Sequence, residues 1–332
     1  MKKTIKIAVG FLLVTAMFSV LFASCTKEVP ERTKIKIAGL IGPTGLGMSK
    51  LMKDNDNKIT ENEYEFTLSA SPEEIVGKVS NGDVDVAAVP TNMASVLYNK
   101  TNGKIQMAAI NTLGVLYVLE RGDSIKSVED LKDKTVYMSG EGATPEFIFN
   151  FLLKHYGLND EVITDYKEEH SAVVSLCVAG SADIVILPEP NVSNVLSKNS
   201  EYRIALDLTK EYEKACKEDG NEDSFLAMGC IIVNKEFADN NKEAFEAFLN
   251  EYKSSVEYVN ANSDNKAAKL AVEYGIIPSE DIAKMAIPNC NITFITGNEM
   301  KDGISQFFKI LFEATPQSVG GKLPADDFYY MP

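Results

Sequence analysis

The stretch GDVDVAAVP, residues Gly82 to Pro90, returns later in the chain as GSADIVILP, residues Gly180 to Pro188. The two stretches lie 98 residues apart, and the same offset aligns Lys36-Ile37-Ala38 with Lys134-Thr135-Val136 and Gly42 with Gly140. A chance match would not hold one register over so many segments. The chain therefore contains two copies of one structural unit, which we expect to fold alike.

Each copy alternates segments with strand and helix patterns. The last strand of each copy is a continuous apolar run, Val84 to Val89 and Ile184 to Leu187. Such runs are typical of parallel strands buried on both faces, whereas half-exposed strands alternate apolar and polar residues. The other expected elements are strands at 35–41, 64–69, 135–138 and 162–166, and helices at 48–53, 72–81, 145–156 and 171–178. The pattern predicts two doubly wound α/β lobes.

Two apolar stretches fall outside the repeat, Leu113 to Leu119 and Leu226 to Val233. We interpret them as two crossover strands that join the lobes, with hinge candidates Thr112, Gly114, Ala227 and Gly229. Helices are expected at 242–260, 264–274, 279–285 and 299–314, where they would close the core of the first lobe. The predicted division is 34–113 plus 230–332 for lobe 1 and 114–229 for lobe 2.

The N-terminus has a secretory pattern, with Lys2, Lys3 and Lys6 before an uncharged run from Ile7 to Ser24. A permanent anchor helix is the alternative interpretation. The segment Leu21-Phe22-Ala23-Ser24-Cys25 resembles a bacterial lipobox, although Phe22 stands where a smaller aliphatic residue is usual. The resemblance implies a signal peptide over 1–24, diacylglycerol on Cys25 and a lipidated linker over 25–33. The mature protein would then be exported and held on the outer face of the cytoplasmic membrane.

Charge and cysteine usage exclude several classes of function. The formal charge is −15, and it becomes −18 once the three N-terminal lysines are removed, so nucleic acid is not an expected partner. The cysteines Cys177, Cys216, Cys230 and Cys290 have no CxxC spacing, and the chain has only two histidines. We predict no metal site and no cofactor. Buried thiols are the preferred interpretation of these cysteines, although an exported protein could also pair them.

Ligands of parallel sheets bind where strands end and the following helices begin, because free backbone N–H groups converge there. Four turns meet this description: residues 42–47, 90–92, 139–144 and 188–191. Helix capping alone is the alternative role for Thr91, Asn92 and Thr144. The candidate ligand-binding residues are Thr44, Gly45, Leu46, Thr91, Asn92, Ser139, Glu141, Thr144 and Glu189.

Glu189 is the sharpest candidate, because a carboxylate between two prolines at a strand end could pair with an amine or amidine. A solvated charge is its alternative role. His170 is interpreted as the end of a strand near the cleft rim, beside Glu168 and Glu169. No catalytic residue is predicted, because the sequence contains no GxSxG motif, no reactive cysteine context and no complete phosphate loop.

The lipobox, the glycine-rich first turn, the two GxxD repeats and the tail from Leu323 to Tyr329 together resemble a known family. They are similar to the SsuA/THI5-like binding proteins of nitrate, sulfonate, taurine and thiamine-precursor ABC importers. The resemblance implies a type II periplasmic-binding-protein fold. It also implies a monomer that closes on one small molecule and docks on the permease of a membrane importer.

The ligand is not identified by any motif. Arg32, Arg121 and Arg203 are the three arginines of the chain, and none lies in the four turns, so paired guanidinium recognition of an anion is not expected. This favours a thiamine-type pyrimidine or another amine-bearing solute over nitrate or sulfonate. Two alternatives stay open: an enzyme on the same fold, such as a menaquinone-pathway dehydratase or a pyrimidine synthase homologue, and a ligand-sensing lipoprotein.

Overall fold

The computed structural model describes residues 32–262 and 265–331. The predicted signal peptide and Cys25 lie outside the described residues, and Lys34–Pro332 forms one compact unit. The first half of this unit contains β1 (Lys34–Leu40), α1 (Pro43–Leu46), α2 (Ser49–Asp56), β2 (Glu63–Ser69), α3 (Pro72–Asn81), β3 (Val86–Pro90), α4 (Thr91–Lys100), β4 (Ile105–Leu113), β5 (Leu116–Arg121), β6 (Thr135–Ser139) and α5 (Thr144–His155). The second half contains β7 (Ile163–Lys167), α6 (His170–Val178), β8 (Ile184–Pro188), α7 (Asn191–Lys198), β9 (Tyr202–Asp207), α8 (Leu208–Glu218), β10 (Ala227–Asn234), α9 (Lys235–Asn240), α10 (Lys242–Ala261), α11 (Lys266–Glu273), α12 (Glu280–Ala286), β11 (Ile292–Ile295) and α13 (Gly297–Ala314).

The sequence repeat is confirmed as a structural repeat. β3 and β8 correspond residue for residue at the offset of 98, and α3 and α6 begin at residues 72 and 170, which differ by the same number. In one sheet the strand order is β11-β4-β10-β3-β1-β2, and in the other it is β7-β6-β8-β5-β9. The order second, first, third strand of each copy is thus the same in both sheets. We call the six-stranded sheet with its helices lobe 1 and the five-stranded sheet with its helices lobe 2.

The strands of each repeat copy run parallel, as the apolar runs indicate, but antiparallel strands from outside the repeat make both sheets mixed. β10 pairs antiparallel with β3 and β4 in lobe 1. β5 pairs antiparallel with β8 and β9 in lobe 2. A continuous apolar run indicates that both faces of a strand are buried, but it does not indicate the direction of the strand. An antiparallel strand inserted in the sheet has both faces covered just as a parallel strand does. The fold is an α/β fold with two mixed sheets.

The crossover strands also differ from expectation. Leu113 to Leu119 is not one strand: β4 ends in lobe 1, Gly114 and Val115 make the passage, and β5 begins in lobe 2. β10 lies wholly in the lobe 1 sheet, so the chain returns through α8 and residues 219–226. The predicted lobe boundary between residues 229 and 230 falls within β10, and we propose that lobe 1 resumes at Ala227.

The four C-terminal helices form at α10, α11, α12 and α13, within a few residues of their predicted limits. Phe245, Phe248 and Tyr252 of α10 are fully buried in one cluster with Ile35 and Ile37 of β1, as expected for helices that close lobe 1. The last helix departs from that expectation. Phe307 and Phe308 of α13 belong to a cluster that continues into lobe 2, where α13 contacts α5.

The four cysteines of the described residues, Cys177, Cys216, Cys230 and Cys290, are buried free thiols. Burial raises the pKa of each thiol, so none has the thiolate character of a reactive cysteine.

Candidate ligand-binding site

A cavity of about 430 Å³ opens at one edge of the lobe 2 sheet. β6, β7 and β8 run parallel and end together at this edge, and each is followed by the N-terminus of a helix, α5, α6 or α7. Backbone N–H groups without helical partners therefore surround the opening. The cavity is lined by Ser139, Gly140, Glu168, Glu169, His170, Ser171 and Asn191.

The best-defined polar contact of this cavity joins Ser139 and His170. Ser139 ends β6 and is 3% exposed, and its Oγ lies 2.5 Å from Nδ1 of His170. Burial lowers the pKa of His170, so the imidazole is neutral at pH 7. His170 is the first residue of α6 and not the end of a strand as expected, because β7 already ends at Lys167. The prediction that it lies close to the cleft rim agrees with its place in the cavity wall.

The charged groups of the cavity wall are acidic. Glu168 and Glu169 are exposed, and Glu169 Oε2 accepts a hydrogen bond of 3.0 Å from the Ser171 hydroxyl. Lys167 directly precedes the lining residue Glu168 in the sequence, but its Nζ donates to Asp165 at 2.6 Å and lies over the ring of Tyr137. The residues that line the cavity therefore include no lysine or arginine.

The two arginines of lobe 2 are held at the opposite edge of its sheet. Because β5 is antiparallel to β8, the end of β5 lies beside the start of β8, with Glu120 opposite Ile184. There Arg121 pairs with Asp183 at 2.6 Å, and Arg203 pairs with the buried Glu120 at 2.6 Å. Neither guanidinium is available to the cavity.

In lobe 1 the glycine-rich turn folds into the short helix α1 against the sheet. Thr44 is partly exposed, whereas Gly45 and Leu46 are buried. A Cβ on Gly45 would lie 2.2 Å from the carbonyl oxygen of Leu40, so the turn needs glycine for packing. Of these three candidates, Thr44 alone presents part of its surface to solvent.

Asn111 holds this turn in place, and sequence reasoning did not single it out. Its Nδ2 donates to the Thr44 carbonyl at 2.8 Å and to the Tyr252 hydroxyl at 3.0 Å. Its Oδ1 accepts from the Thr112 hydroxyl at 3.1 Å and would lie 2.6 Å from a Cβ on Gly229. Thr112 and Gly229, proposed as hinge residues, thus pack around one buried amide. The one feature of the sequence that could have indicated this contact is a lone asparagine within the apolar run of β4.

Thr91, Asn92 and Thr144 do not cap their helices, contrary to the alternative role considered for them. Pro90 occupies the cap position of α4 and Ala143 that of α5, and neither makes a side-chain capping bond. Thr91 is 1% exposed, and the thiol of Cys230 is its neighbour.

The remaining candidates at these turns differ in exposure. Asn92 donates to the carbonyl of Ser318 at 3.4 Å and so faces the C-terminal segment of lobe 1. Thr144 is nearly buried at the start of α5, whereas Glu141 is exposed in the turn after β6. In this group, Glu141 is the side chain most open to solvent.

Glu189 is buried near the passage between the lobes. Its Oε2 accepts from the backbone N–H of Ser193 at 3.0 Å, and its Oε1 accepts from the Ser193 hydroxyl at 3.0 Å. A third bond comes from lobe 1, where Asn289 Nδ2 donates to Oε1 at 3.3 Å. Burial raises the pKa of Glu189 to about 7, although these hydrogen bonds act in the opposite direction. The backbone N–H of Glu189 donates to the carbonyl of Val115 at 3.0 Å.

The turn from Asn289 to Asn291, between α12 and β11, ties lobe 1 to lobe 2 at three points. Besides the side-chain bond to Glu189, the backbone carbonyl oxygen of Asn289 accepts a hydrogen bond of 2.8 Å from the Tyr117 hydroxyl. Asn291 Nδ2 donates to the Gly114 carbonyl at 2.6 Å. This turn lies far from both lobes' repeats in sequence, so no pattern pointed to it.

Within residues 32–262 and 265–331, no group of three or more His, Cys, Asp or Glu side chains is arranged to hold a metal ion. Across the same part of the chain, no helix has the length and apolar character required to span a membrane.

Comparisons with known proteins agree with this architecture. A family model described as NMT1/THI5 like matches residues 65–266, whereas a comparison with curated proteins finds no match. An ABC transporter protein from Parabacteroides distasonis is 23% identical, with a TM-score of 0.75 over 90% of this chain and 99% of its own. The aliphatic sulphonate binding protein SsuA from Escherichia coli is 14% identical, with a TM-score of 0.67 over 91% and 93%.

A more distant match is the nitrate-binding protein NrtA from Synechocystis, which is 15% identical and has a TM-score of 0.53 over 82% of this chain and 75% of its own. These similarities show the two-lobed fold of type II periplasmic binding proteins. The family model covers well over half of the sequence, from the second strand of lobe 1 through all of lobe 2. The chain belongs to the NMT1/THI5-like family.

Proposed function

We propose that this protein is the extracytoplasmic solute-binding lipoprotein of an ABC importer. The observation that carries the proposal is a polar cavity at the carboxyl edge of the lobe 2 sheet, in a protein whose two lobes are joined at Gly114–Val115 and residues 219–226. A ligand that contacts both lobes binds the closed form more tightly and shifts the lobes toward closure. The closed form would dock on the permease and release the ligand to it.

The ligand is proposed to be neutral or amine-bearing, with a thiamine-type pyrimidine as one example. Glu168 and Glu169 line the cavity, and the arginines of lobe 2 are paired at the other edge of the sheet. Nitrate or a sulfonate would therefore meet carboxylates without a compensating cation, which is unfavourable apart from the contribution of the helix N-termini.

A melting screen tests the proposal on the protein that begins at Thr26, which retains the whole compact unit Lys34–Pro332. The probes are 4-aminopyrimidines, amino acids, polyamines, taurine and nitrate. A ligand present at 100 times its Kd should stabilise the folded state by about 2.7 kcal/mol, because it binds the folded state alone. Stabilisation by none of the probes, or by nitrate and taurine alone, would contradict the proposed ligand class.

Glu189 stays a candidate for the amine partner. Replacing it with Gln should abolish the melting shift of an amine-bearing probe if its carboxylate contacts the ligand. An unchanged melting shift would show that Glu189 is not part of the site. Its role would then be the hydrogen bond with Asn289 that joins the two lobes.

The anchor is tested separately at Cys25. The full-length protein with Cys25→Ala should lose radiolabelled palmitate, because the diacylglycerol would be attached to this sulfur. Thr26→Ala is the matched control and should remain lipidated and membrane-bound. A wild-type protein that is found in the membrane fraction without label would favour the permanent N-terminal anchor over lipidation.

An enzyme on this fold is the second candidate, and the proximity of His170 to a serine hydroxyl in the cavity is the observation that favours it. A ligand found in the melting screen should be incubated with the protein and recovered. Recovery of unchanged ligand supports binding and delivery, whereas conversion at a steady rate supports a dehydratase or pyrimidine synthase homologue. A sensing lipoprotein would bind without conversion and without uptake in cells that carry the permease.

A further inference from the structure

We infer that Ser139 and His170 form a specificity-determining pair: Ser139 fixes the neutral imidazole so that its Nε2–H donates to the ligand beside the acceptor carboxylate of Glu168. This inference rests on the proposed function, because it assumes that the cavity of lobe 2 binds the solute. It goes further by naming the group on the protein that the ligand meets and the hydrogen-bonding pattern that the ligand must offer.

The tautomer follows from the hydrogen bonds of Ser139. Its hydroxyl is buried, and the contact with His170 Nδ1 is the only hydrogen bond that its side chain makes among the described residues. If Nδ1 carried the proton, it would donate to Oγ and leave the hydroxyl proton without an acceptor, which is unfavourable for a buried group. The hydroxyl therefore donates to Nδ1. A neutral imidazole then carries its proton on Nε2.

The position of His170 leaves Nε2 for the ligand. The two ring nitrogens lie on different sides of the imidazole, and Nδ1 is already engaged. His170 lines the cavity, and its Nε2 makes no hydrogen bond to another described residue. Its partly buried place keeps the ring neutral, since burial disfavours the charged form and lowers the pKa of His170. The cavity wall thus offers a neutral N–H donor.

Glu168 supplies the acceptor next to this donor. It lines the same cavity two residues before His170, is exposed, and has neither a hydrogen-bond nor an ion-pair partner in the described part of the chain. Glu169 differs, because its carboxylate already accepts from Ser171. A donor beside an acceptor matches a ligand edge that places an acceptor beside a donor. Amides, amidines and amino-substituted nitrogen heterocycles have such an edge, whereas nitrate and sulfonates offer acceptors alone.

The first test reads the tautomer directly and needs no ligand. Nitrogen NMR of the imidazoles is simple here because the chain has two histidines, His155 and His170, and His155→Gln assigns the signals. The signal of His170 should show a protonated Nε2 and an unprotonated Nδ1 at pH 7.5. In Ser139→Ala the two tautomers should become mixed. A wild-type His170 protonated on Nδ1 would overturn the inference.

The second test measures ligand affinity with cytosine and 4-aminopyrimidine as probes. His170→Asn should weaken binding about tenfold, equal to about 1.4 kcal/mol, because it removes the donor at the Nε2 position. His170→Gln places an amide N–H near that position and should recover most of the affinity. His155 lies outside the cavity, and its ring contacts Glu218 and Asp219. The control variant His155→Gln should therefore bind the probes as the wild type does.

The outcomes separate this inference from the proposed function. If a probe binds and closes the lobes in small-angle scattering but His170→Asn binds it equally well, the pair is not specificity-determining and the binding function stands. If taurine or nitrate binds most tightly, the donor and acceptor pattern is wrong even when the tautomer is as expected. Loss of binding in His170→Asn with recovery in His170→Gln supports the inference.

Discussion

Gly114→Ala is expected to lower the free energy of unfolding by about 2–3 kcal/mol, the upper part of the usual cost of forcing atoms into a packed core. Gly114 makes the passage from β4 to β5. A Cβ at this position would lie 2.1 Å from Thr209 Oγ1 and 2.8 Å from Leu226 Cδ2, and both of these side chains are buried. Urea unfolding at constant pH measures the loss.

A double-mutant cycle with Thr209→Ala identifies the cause. The Thr209 hydroxyl is buried without a hydrogen-bond partner, so Thr209→Ala alone should cost little. Combined with Gly114→Ala, it removes the atom that clashes first and should recover about half of the loss. Gly77→Ala is the matched control, because its Cβ would meet no atom within 4 Å inside α3. Equal stabilities of Gly77→Ala and Gly114→Ala would show that the passage accepts a side chain.

The stabilising contribution of Glu189 should fall by about 3 kcal/mol as the pH rises from about 4.5 to about 7. Burial raises the pKa of this carboxyl to about 7 in the folded state, above its ordinary value near 4.5. The folded state then binds more protons than the unfolded state between these values. The stabilising contribution is complete below about pH 4.5 and is lost as the pH approaches 7.

Glu189→Gln should remove this part of the pH dependence, because the amide does not titrate and its oxygen can still accept from the Ser193 backbone N–H. The difference between the unfolding free energies of the wild type and Glu189→Gln, measured by urea at half-unit intervals from pH 4.5 to 8, should change by about 3 kcal/mol across this range. Glu168→Gln is the matched control, since Glu168 is exposed, and it should keep the wild-type slope. If Glu189→Gln and the wild type show the same slope, the carboxyl does not titrate in this range.

Much of the fold could be predicted because the two copies of the repeat indicate the same strands and helices. One register aligned the buried strands that end at Pro90 and Pro188, and the helix before each strand begins within one residue of its predicted start. The direction of β5 and β10 could not be predicted in this way. Their side chains are buried on both faces, and strand direction depends on which neighbours the chain reaches after the passage at Gly114.

The candidate site was predictable in outline but not in its individual contacts. The rule that ligands bind where strands end put Ser139 among the candidates, and Ser139 lines the cavity. It could not distinguish Leu46, which packs in the core, from Thr44, which is partly exposed. Nor could it find the buried Asn111 or the partly buried Asn289, because the side-chain amides of both bond to partners far away in the sequence.

Helix α13 packs Phe307 and Phe308 into one apolar cluster that continues from lobe 1 into lobe 2. Neither lobe can unfold without exposing part of this cluster to water, which is unfavourable in proportion to the area exposed. The two lobes should therefore lose their structure in one cooperative step, although each has a sheet of its own. A solute held by lobe 2 alone would then protect lobe 1 from unfolding as well.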